Sequence, residues 1–215
     1  MERKKTMLKT TLYVVRHGES EGNVNGDITG TNPPLTKRGL AQAEELSNVF
    51  KSRSLHVIYS SPLIRAHHTA LSVAKKHGLP VSTSSSIKER FFGSLEGKKR
   101  QEVRDLYKDK YELFNSATPE EQLQWKVVED MESFMEVYKR VEHFFDEVFA
   151  LHQGKSILLV THAHVMLSLL INLGFATFNE LPFGAIRNTG YMTIEKENKK
   201  YKITSVYGIT KKSHK

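Results

Sequence analysis

The stretch that decides the fold is TLYVVRHGES, residues 11–20 of the 215-residue chain. Residues 11–15 form a continuous apolar run, which is typical of a parallel strand covered by helices on both faces. Two further apolar runs, residues 57–59 and 157–160, resemble the first, and each is followed by a polar segment, SSPLIRA and THAH respectively. These runs predict buried parallel strands whose carboxyl ends lie at one edge of a sheet, where ligands of such sheets bind.

Helical patterns separate the strands. Thr36 is a candidate N-cap for the first of these helices, and Pro62 suits the first turn of a second helix that Gly78 ends. A long amphipathic helix is expected to begin near Asp130, and a helix that is apolar on nearly all sides should end at Gly174. The residues expected on the buried side of the first helix are Leu40, Ala43, Leu46 and Phe50.

Two late runs, residues 191–195 and 201–207, flank the polar segment KENKK and indicate a hairpin at a sheet edge. Because strands alternate with helices, we predict an α/β fold, a three-layer α/β/α domain with a mostly parallel central sheet and an antiparallel edge. Residues 1–215 are expected to form this single domain. Residues 98–130 lack clean periodicity, and we interpret them as a surface insertion or as a lid over a site.

The net charge of +8 is concentrated at the two ends of the chain. Residues 1–9 carry four Lys or Arg and one Glu, and residues 195–215 carry seven Lys and two Glu, while residues 10–194 are balanced. We therefore expect solvated basic ends and no nucleic-acid partner. No apolar run reaches the ~18 residues of a membrane span, so no membrane partner is expected either.

Cysteine is absent, which excludes disulfides, thiolate nucleophiles, cysteine-ligated zinc and iron–sulfur clusters. The basic start of the chain is not followed by a signal-peptide pattern, because Lys9 and Arg16 interrupt the apolar residues and no small-residue cleavage site follows. A cytoplasmic location is the resulting expectation.

The three strand ends bring cationic and imidazole side chains to one rim. Arg16 and His17 follow the first strand, Arg65 comes shortly after the second, and His162 follows the third. Arginine can hold two phosphate oxygens with its planar fork, and a neutral imidazole can act as a nucleophile that forms a covalent intermediate. The rim therefore predicts a pocket for a phosphate group.

Five ordered segments of the chain resemble the histidine phosphatase superfamily, also called the phosphoglycerate mutase-like family. The segments are LYVVRHGESEGN (12–23), LTKRGLAQAEEL (35–46), SSPLIRAHHTA (60–70), KERFFGSLEG (88–97) and LLVTHAHV (158–165). The resemblance extends from about residue 10 to about residue 195. It implies the phosphoglycerate mutase-like fold and a phosphomonoester hydrolase that acts through a phosphohistidine on a small phosphorylated metabolite, without a cofactor.

The same resemblance implies a role for individual residues. His17 matches the nucleophile, and Arg16 and Arg65 match the two arginines that hold the phosphate. His162 matches the second pocket histidine, which donates to a phosphate oxygen and stabilises charge in the transition state. Glu89 matches the general acid that protonates the leaving oxygen and then activates water.

Further matches are looser. Asn23 corresponds to an asparagine that contacts the phosphate in many members, and Thr29 with Gly30 stands where the mutases have a substrate-contacting pair. Glu96 lies in the same loop as Glu89 and is an alternative acid, although the motif register favours Glu89. As a general acid, Glu89 should have a pKa above the ~4.3 of a free Glu. Burial and the incoming dianion would raise this pKa and Arg16 and Arg65 would lower it, and the sequence does not decide the balance.

Histidine pairs in two segments raise the question of a metal. His67 and His68 are adjacent, and His162 and His164 are two residues apart. Because no carboxylate stands at ligand spacing from either pair, we expect no metal site. His164 departs from the family pattern, in which a glycine or another small residue is usual at this position.

Alternatives to a phosphatase stay open. Phosphoglycerate mutases of the family have an adjacent Arg pair downstream of the acid. Residues 101–130 contain no such pair, and their basic residues are Arg104, Lys108, Lys110 and Lys126, while the run Lys98-Lys99-Arg100 could supply one contact. A mutase is therefore the alternative to a phosphatase, and a non-catalytic phosphoester-binding member is disfavoured because all pocket residues are present. Residues 129–133 (EDMES) lack the Pro and Gly of the broad-specificity branch, so the substrate stays open, as does the oligomeric state.

Overall fold

The computed structural model describes residues 9–28, 32–197 and 200–212 of the chain. The strands are β1 (Thr11–Arg16), β2 (Val57–Ser60), β3 (Val81–Thr83), β4 (Ser156–Thr161), β5 (Ile186–Glu197) and β6 (Lys200–Ile209). The helices are α1 (Glu21–Asn25), α2 (Lys37–Phe50), α3 (Ile64–His77), α4 (Arg100–Leu106), α5 (Lys108–Ser116), α6 (Pro119–Gln124), α7 (Phe134–Leu151) and α8 (Ala163–Asn172). Short 3₁₀ turns lie at Ser85–Ile87 and Gly93–Leu95.

The six strands form one sheet in the order β3-β2-β4-β1-β5-β6. The first four strands of this order are parallel, whereas β5 is antiparallel to β1 and β6 is antiparallel to β5. The predicted α/β class, the parallel centre and the antiparallel hairpin with β6 at the edge are confirmed. Strand β3 was not predicted, because three residues are too few to produce an apolar run. Asn198 and Lys199 of the predicted turn lie outside the described residues.

Helices cover both faces of the sheet, as the continuous apolar runs predicted. On one face α7 and α8 pack against Leu12 and Val14 of β1 in the larger core cluster. On the other face α2 and α3 pack against Val15 and against Leu158 of β4. Because both faces are covered, the strand ends at the carboxyl edge of the parallel strands are the part of the sheet left open for chemistry.

Three helix predictions need correction. Leu40 is 51% exposed, because Gly39 occupies the buried side of α2 one turn before Ala43. Helix α3 begins only at Ile64, so Pro62 precedes it. Helix α7 begins at Phe134 rather than near Asp130, because Ser133 and Glu136 form a capping box at that point.

Residues 98–130 are more regular than their sequence suggested, since they contain the short helices α4, α5 and α6. Thr118 caps α6 and Pro119 occupies its first turn. Beneath these helices lies a third hydrophobic cluster, whose buried members are Ile28, Phe92, Leu95, Val103, Val127 and Met131. In the described part of the chain, no helix has both the length and the apolar character that crossing a membrane requires.

Candidate active site

The parallel strands deliver the predicted residues to one rim. Strand β1 ends at Arg16, and the backbone N–H of His17 donates to Thr161 O of neighbouring β4 across 3.0 Å. This pairing places His17 beside His162, and their ring centroids are 5.1 Å apart. Arg65, in the first turn of α3, completes the group.

Two glycines hold the loop after β1 close to helix α2. A Cβ on Gly39 would lie 1.9 Å from Glu19 O, and one on Gly18 would lie 2.5 Å from Gly39 O. Larger side chains would push the helix and the loop apart. The backbone N–H of Gly18 also donates to Thr69 Oγ1 at 3.0 Å, which ties the loop to α3. The position of His17 is therefore fixed from both sides.

The ring of His17 is oriented by its own chain. Nδ1 lies 2.6 Å from Gly18 O, and Arg65 Nε donates to Nε2 across 3.3 Å. A carbonyl accepts only, so Nδ1 carries the hydrogen and Nε2 presents its lone pair. Burial, followed by the charges of His162, Arg65 and Arg16, holds the pKa of His17 well below its ordinary value. The imidazole is thus neutral at neutral pH.

Several buried donors around Nε2 have no partner among the described residues. They are Arg16 Nε, Arg65 Nη1, Arg65 Nη2 and His162 Nδ1. Arg16 Nη1 donates to Ile186 O at 2.5 Å, and burial lowers the pKa of Arg16 to about 10, so its guanidinium stays charged at neutral pH. Unpaired buried donors are costly, and a cluster with two guanidinium groups matches the oxygens of a phosphate.

His162 is fully buried and is held by Ser61, which follows β2. The distance from His162 Nε2 to Ser61 Oγ is 2.8 Å, and Ser61 Oγ accepts from the N–H of Leu63. Burial, together with the charge of Arg65, keeps the pKa of His162 well below its ordinary value. The Ser61 hydroxyl can donate to Nε2, which leaves Nδ1 as the protonated nitrogen that faces no partner.

Glu89 lies between the histidines and the insertion. Its Oε1 accepts from the backbone N–H groups of Arg90 and His164 at 2.9 and 3.2 Å, and its Oε2 lies 3.3 Å from His164 Nδ1. The alternative acid, Glu96, accepts from the N–H of Phe92 within its own turn. Glu89 lines the main cavity, whereas Glu96 does not.

The pKa of Glu89 lies below its ordinary value, opposite to the direction expected for a general acid. Burial raises the pKa of Glu89, but the charge and hydrogen bond of His164, the charge of His162 and the N–H of Arg90 together bring it well below the ordinary value. The sequence did not predict this result because His164 is 75 residues away along the chain. The carboxylate is therefore ionised before a substrate arrives.

Asn23 lines the cavity and also stabilises helix α1. Its Oδ1 accepts from the N–H of Ser20 at 3.1 Å and from Asn188 Nδ2 at 3.3 Å. Its own Nδ2 makes no hydrogen bond among the described residues. The other looser candidates, Thr29 and Gly30, lie outside the described residues.

Sequence reasoning missed a bulge in β5 that supports the nucleophile. The register of β5 against β6 shifts between Ile186 and Tyr191. Within this bulge, Asn188 Nδ2 donates to His17 O at 3.1 Å, and Thr189 has a left-handed φ of 57°. A left-handed Thr is strained by roughly 1–3 kcal/mol, and such strain is common near functional sites. The available signal was the segment RNTG (187–190), which lies just before the predicted strand 191–195, but four residues of this type do not show which distant segment they contact.

One cavity of about 650 Å³ opens onto this rim. Arg16, His17, Asn23 and Glu89 line its inner end. Helices α4 and α5 of the insertion contribute Arg100, Arg104 and Lys108 to its lining. Among residues 9–28, 32–197 and 200–212, no group of three or more His, Asp or Glu side chains is placed to hold a metal ion.

Comparison with known proteins gives a consistent result. The family model of the histidine phosphatase superfamily (branch 1) matches residues 12–207. The adenosylcobalamin/alpha-ribazole phosphatase of Escherichia coli (strain K12) is 34% identical over 161 residues, which are 74% of this chain and 76% of that protein. Phosphoserine phosphatase 1 of Hydrogenobacter thermophilus is 30% identical over 190 residues, 88% of each protein. The structure of Bacillus stearothermophilus YhfR superposes with a TM-score of 0.80 at 27% identity, covering 94% of this chain and 98% of that one.

The chain therefore belongs to the histidine phosphatase superfamily, as the five motifs implied. Both relatives named above by activity are phosphatases. The predicted class of enzyme, a histidine phosphatase-type phosphomonoesterase, is confirmed at this level.

Proposed function

We propose that this chain hydrolyses phosphomonoesters in two steps, with His17 as the nucleophile and Glu89 as the acid and base. The observation that carries the proposal is the arrangement at His17, whose Nε2 is unprotonated and accepts from Arg65 Nε, while four further buried nitrogen donors of the neighbouring Arg16, Arg65 and His162 have no partner among the described residues. A tetrahedral phosphate has the oxygens that these donors need, and its phosphorus would then lie next to Nε2.

In the first step, His17 Nε2 attacks phosphorus in line, so the N–P bond forms as the bond to the leaving oxygen breaks. Glu89 gives its proton to that oxygen, which departs as an alcohol. The ring carries a positive charge in the phosphoenzyme because Nδ1 keeps its hydrogen for Gly18 O. This hydrogen bond strengthens with the charge, and it therefore stabilises the intermediate more than the free enzyme.

In the second step, water attacks the phosphohistidine. Glu89, now ionised, accepts a proton from the water while the O–P bond forms and the N–P bond to His17 breaks. The lone pair returns to Nε2 and inorganic phosphate leaves. The low pKa of Glu89 suits this step, because the carboxylate is ready to act as a base.

The three cationic or donor groups stabilise the transferring phosphoryl group. Arg16 and Arg65 offer guanidinium N–H groups, and the Nδ1–H of His162 adds a neutral donor whose tautomer Ser61 sets. These donors are preorganised in a buried site, where they act on developing charge without reorganising water. A phosphomonoester hydrolase needs no more than this set.

Because the Glu89 carboxylate is ionised in the free protein, the proton that it gives to the leaving oxygen must be supplied by another group. A phosphomonoester has a second pKa near ~6, so its monoanion carries one proton into the pocket. Transfer of that proton to Glu89 gives the dianion and the neutral acid, since the incoming negative charge raises the carboxyl pKa. The productive complex therefore shares one proton between substrate and Glu89.

The test of this function is phosphate release from a panel of phosphomonoesters by the wild-type chain and by His17→Ala. We expect release by the wild type and a loss of at least ~10³-fold in the variant. Transfer to a phosphoglycerate acceptor with little released phosphate would instead favour the mutase alternative, for which the insertion supplies Arg100, Arg104 and Lys108 in the cavity wall. A cytoplasmic location stays a prediction.

A further inference from the structure

The part of the cavity beyond the phosphate is lined by aromatic rings. Four rings contact one another in a row that runs from the insertion toward Glu89. The distances between ring centroids are 6.0 Å for Trp125 and Phe114, 5.3 Å for Phe114 and Phe178, and 4.8 Å for Phe178 and Phe134. The last ring, Phe134, lies 6.3 Å from His164, the residue that binds Glu89. We call Phe114, Trp125, Phe134 and Phe178 the aromatic wall.

The aromatic wall is only partly covered by protein. Phe134 is buried, but Phe114, Trp125 and Phe178 are half-buried, and all four line the cavity. Their contacts are edge-on or tilted. Such an arrangement can accept another ring against it. Apolar side chains from other parts of the chain extend this surface: Ile28, Leu95, Met131, Leu167 and Leu181.

The size of the cavity agrees with this lining. About 650 Å³ lies within the ~300–1,000 Å³ of sites that enclose drug-sized ligands and cofactors. A three-carbon phosphometabolite would occupy the inner end alone and would leave the aromatic wall in contact with water. Charged side chains also line this cavity, and one of them, the guanidinium of Arg90, lies 4.0 Å over the ring of Phe134, while Phe114, Trp125 and Phe178 contribute the rest of the aromatic wall.

We propose that the preferred substrate is a phosphomonoester whose alcohol carries an aromatic ring system that packs against the aromatic wall. This inference rests on the proposed function, since it names the substrate class of the same site. Burial of a ring favours binding through the apolar area removed from water and through ring–ring contacts. Polar alcohols of three carbons or fewer gain neither contribution.

The test compares phosphomonoesters whose alcohols differ in their hydrocarbon group but are similar as leaving groups. Ethyl phosphate and 3-phenylpropyl phosphate both release a primary alcohol of similar acidity, so a difference in kcat/KM reports binding of the ring. We expect 3-phenylpropyl phosphate to be preferred by at least about tenfold, with O-phosphoserine near ethyl phosphate. Equal kcat/KM values, or a preference for O-phosphoserine, would overturn the inference.

Variants of the aromatic wall test whether its rings cause the preference for 3-phenylpropyl phosphate. Phe114→Ala and Phe178→Leu should each lower the ratio of the two kcat/KM values by about fivefold or more. Tyr207→Ala is the matched control, because this ring is 61% exposed and lies outside the cavity, and it should leave the ratio unchanged. Thermal unfolding of each variant shows whether it is folded. A ratio that is unchanged in both folded wall variants would also overturn the proposal.

The outcomes separate this inference from the function beneath it. If both substrates release phosphate equally and His17→Ala abolishes release, the two-step hydrolysis stands and only the aromatic substrate is wrong. If neither substrate releases phosphate, the proposed function itself fails and this inference fails with it.

Discussion

Glu89 and His164 bind each other through two contacts: the N–H of His164 donates to Oε1 at 3.2 Å, and its Nδ1 lies 3.3 Å from Oε2. The imidazole of His164 is itself held against Phe92, with 5.0 Å between ring centroids. The carboxylate is therefore fixed in position at the edge of the phosphate pocket. The same contacts favour its ionised form, so His164 influences both where the acid lies and when it holds a proton.

The first prediction concerns Glu89→Gln. The amide cannot supply or accept the proton, so turnover of alkyl phosphates should fall by about 10²–10⁴-fold. Aryl phosphates should lose less, because their leaving oxygens need little protonation. Steady-state kcat on both substrate types checks this difference, and phosphoenzyme should accumulate with the aryl substrate. Glu96→Gln is the control, and if it produced the pattern while Glu89→Gln did not, the acid would have been assigned to the wrong carboxylate.

The second prediction concerns His164. His164→Leu removes the side-chain contact and leaves the backbone N–H, so the pKa of Glu89 should rise because burial is less opposed. The basic limb of the kcat profile on an alkyl phosphate should therefore move to higher pH. His164→Asn keeps a donor near the Nδ1 position and should move the limb less. Identical profiles for Leu, Asn and wild type would show that His164 does not influence the acid.

The sequence predicts those parts of the site that follow from strand order. Parallel strands place their carboxyl ends together, so Arg16, His17 and His162 could be grouped from three apolar runs and the residues after them. The buried side of α2 was predicted less well. The close approach of Gly39 to the loop after β1 turns Leu40 toward solvent, and a close backbone contact of this kind has no hydrophobic pattern in the sequence.

Contacts between distant segments could not be predicted in the same way. The Glu89–His164 pair joins a loop to the start of α8, and the β5 bulge at Asn188 reaches His17 from the far end of the chain. Neither has a periodic pattern, since each depends on how complete elements pack. The sequence does not predict the aromatic wall, because its rings come from four separate segments and their shared face toward the cavity exists only in the folded chain.

The third prediction tests the clamp on the phosphate. Arg65→Lys keeps the charge but loses the planar fork, so kcat/KM should fall by about 10²–10³-fold. The measurement is kcat/KM on an aryl phosphate, for which protonation by Glu89 matters little. Arg38→Lys, on the exposed side of α2, is the control and should retain wild-type activity. Near-normal turnover by Arg65→Lys would show that bidentate binding is not needed.

The fourth prediction concerns the protonation of His17. Burial and the neighbouring charges lower its pKa, so its ring should stay neutral as the pH falls from 7 through ~6.5, where a free imidazole takes up a proton. Because the neutral form is the nucleophile, the lowered pKa preserves activity on the acid side. Nitrogen-15 NMR of the ring, assigned with His17→Ala, should show the Nδ1–H tautomer throughout this range. A titration midpoint near 6.5 would contradict the buried, neutral nucleophile.

The central claim, that His17 Nε2 takes the phosphoryl group, is tested most directly by rapid quench with a ³²P-labelled aryl phosphate. The account predicts an acid-labile, base-stable phosphoenzyme in the wild type and none in His17→Ala, with the label located on residue 17 and on Nε2 of its ring. Label on another residue, or an active His17→Ala enzyme that forms no phosphohistidine, would contradict it.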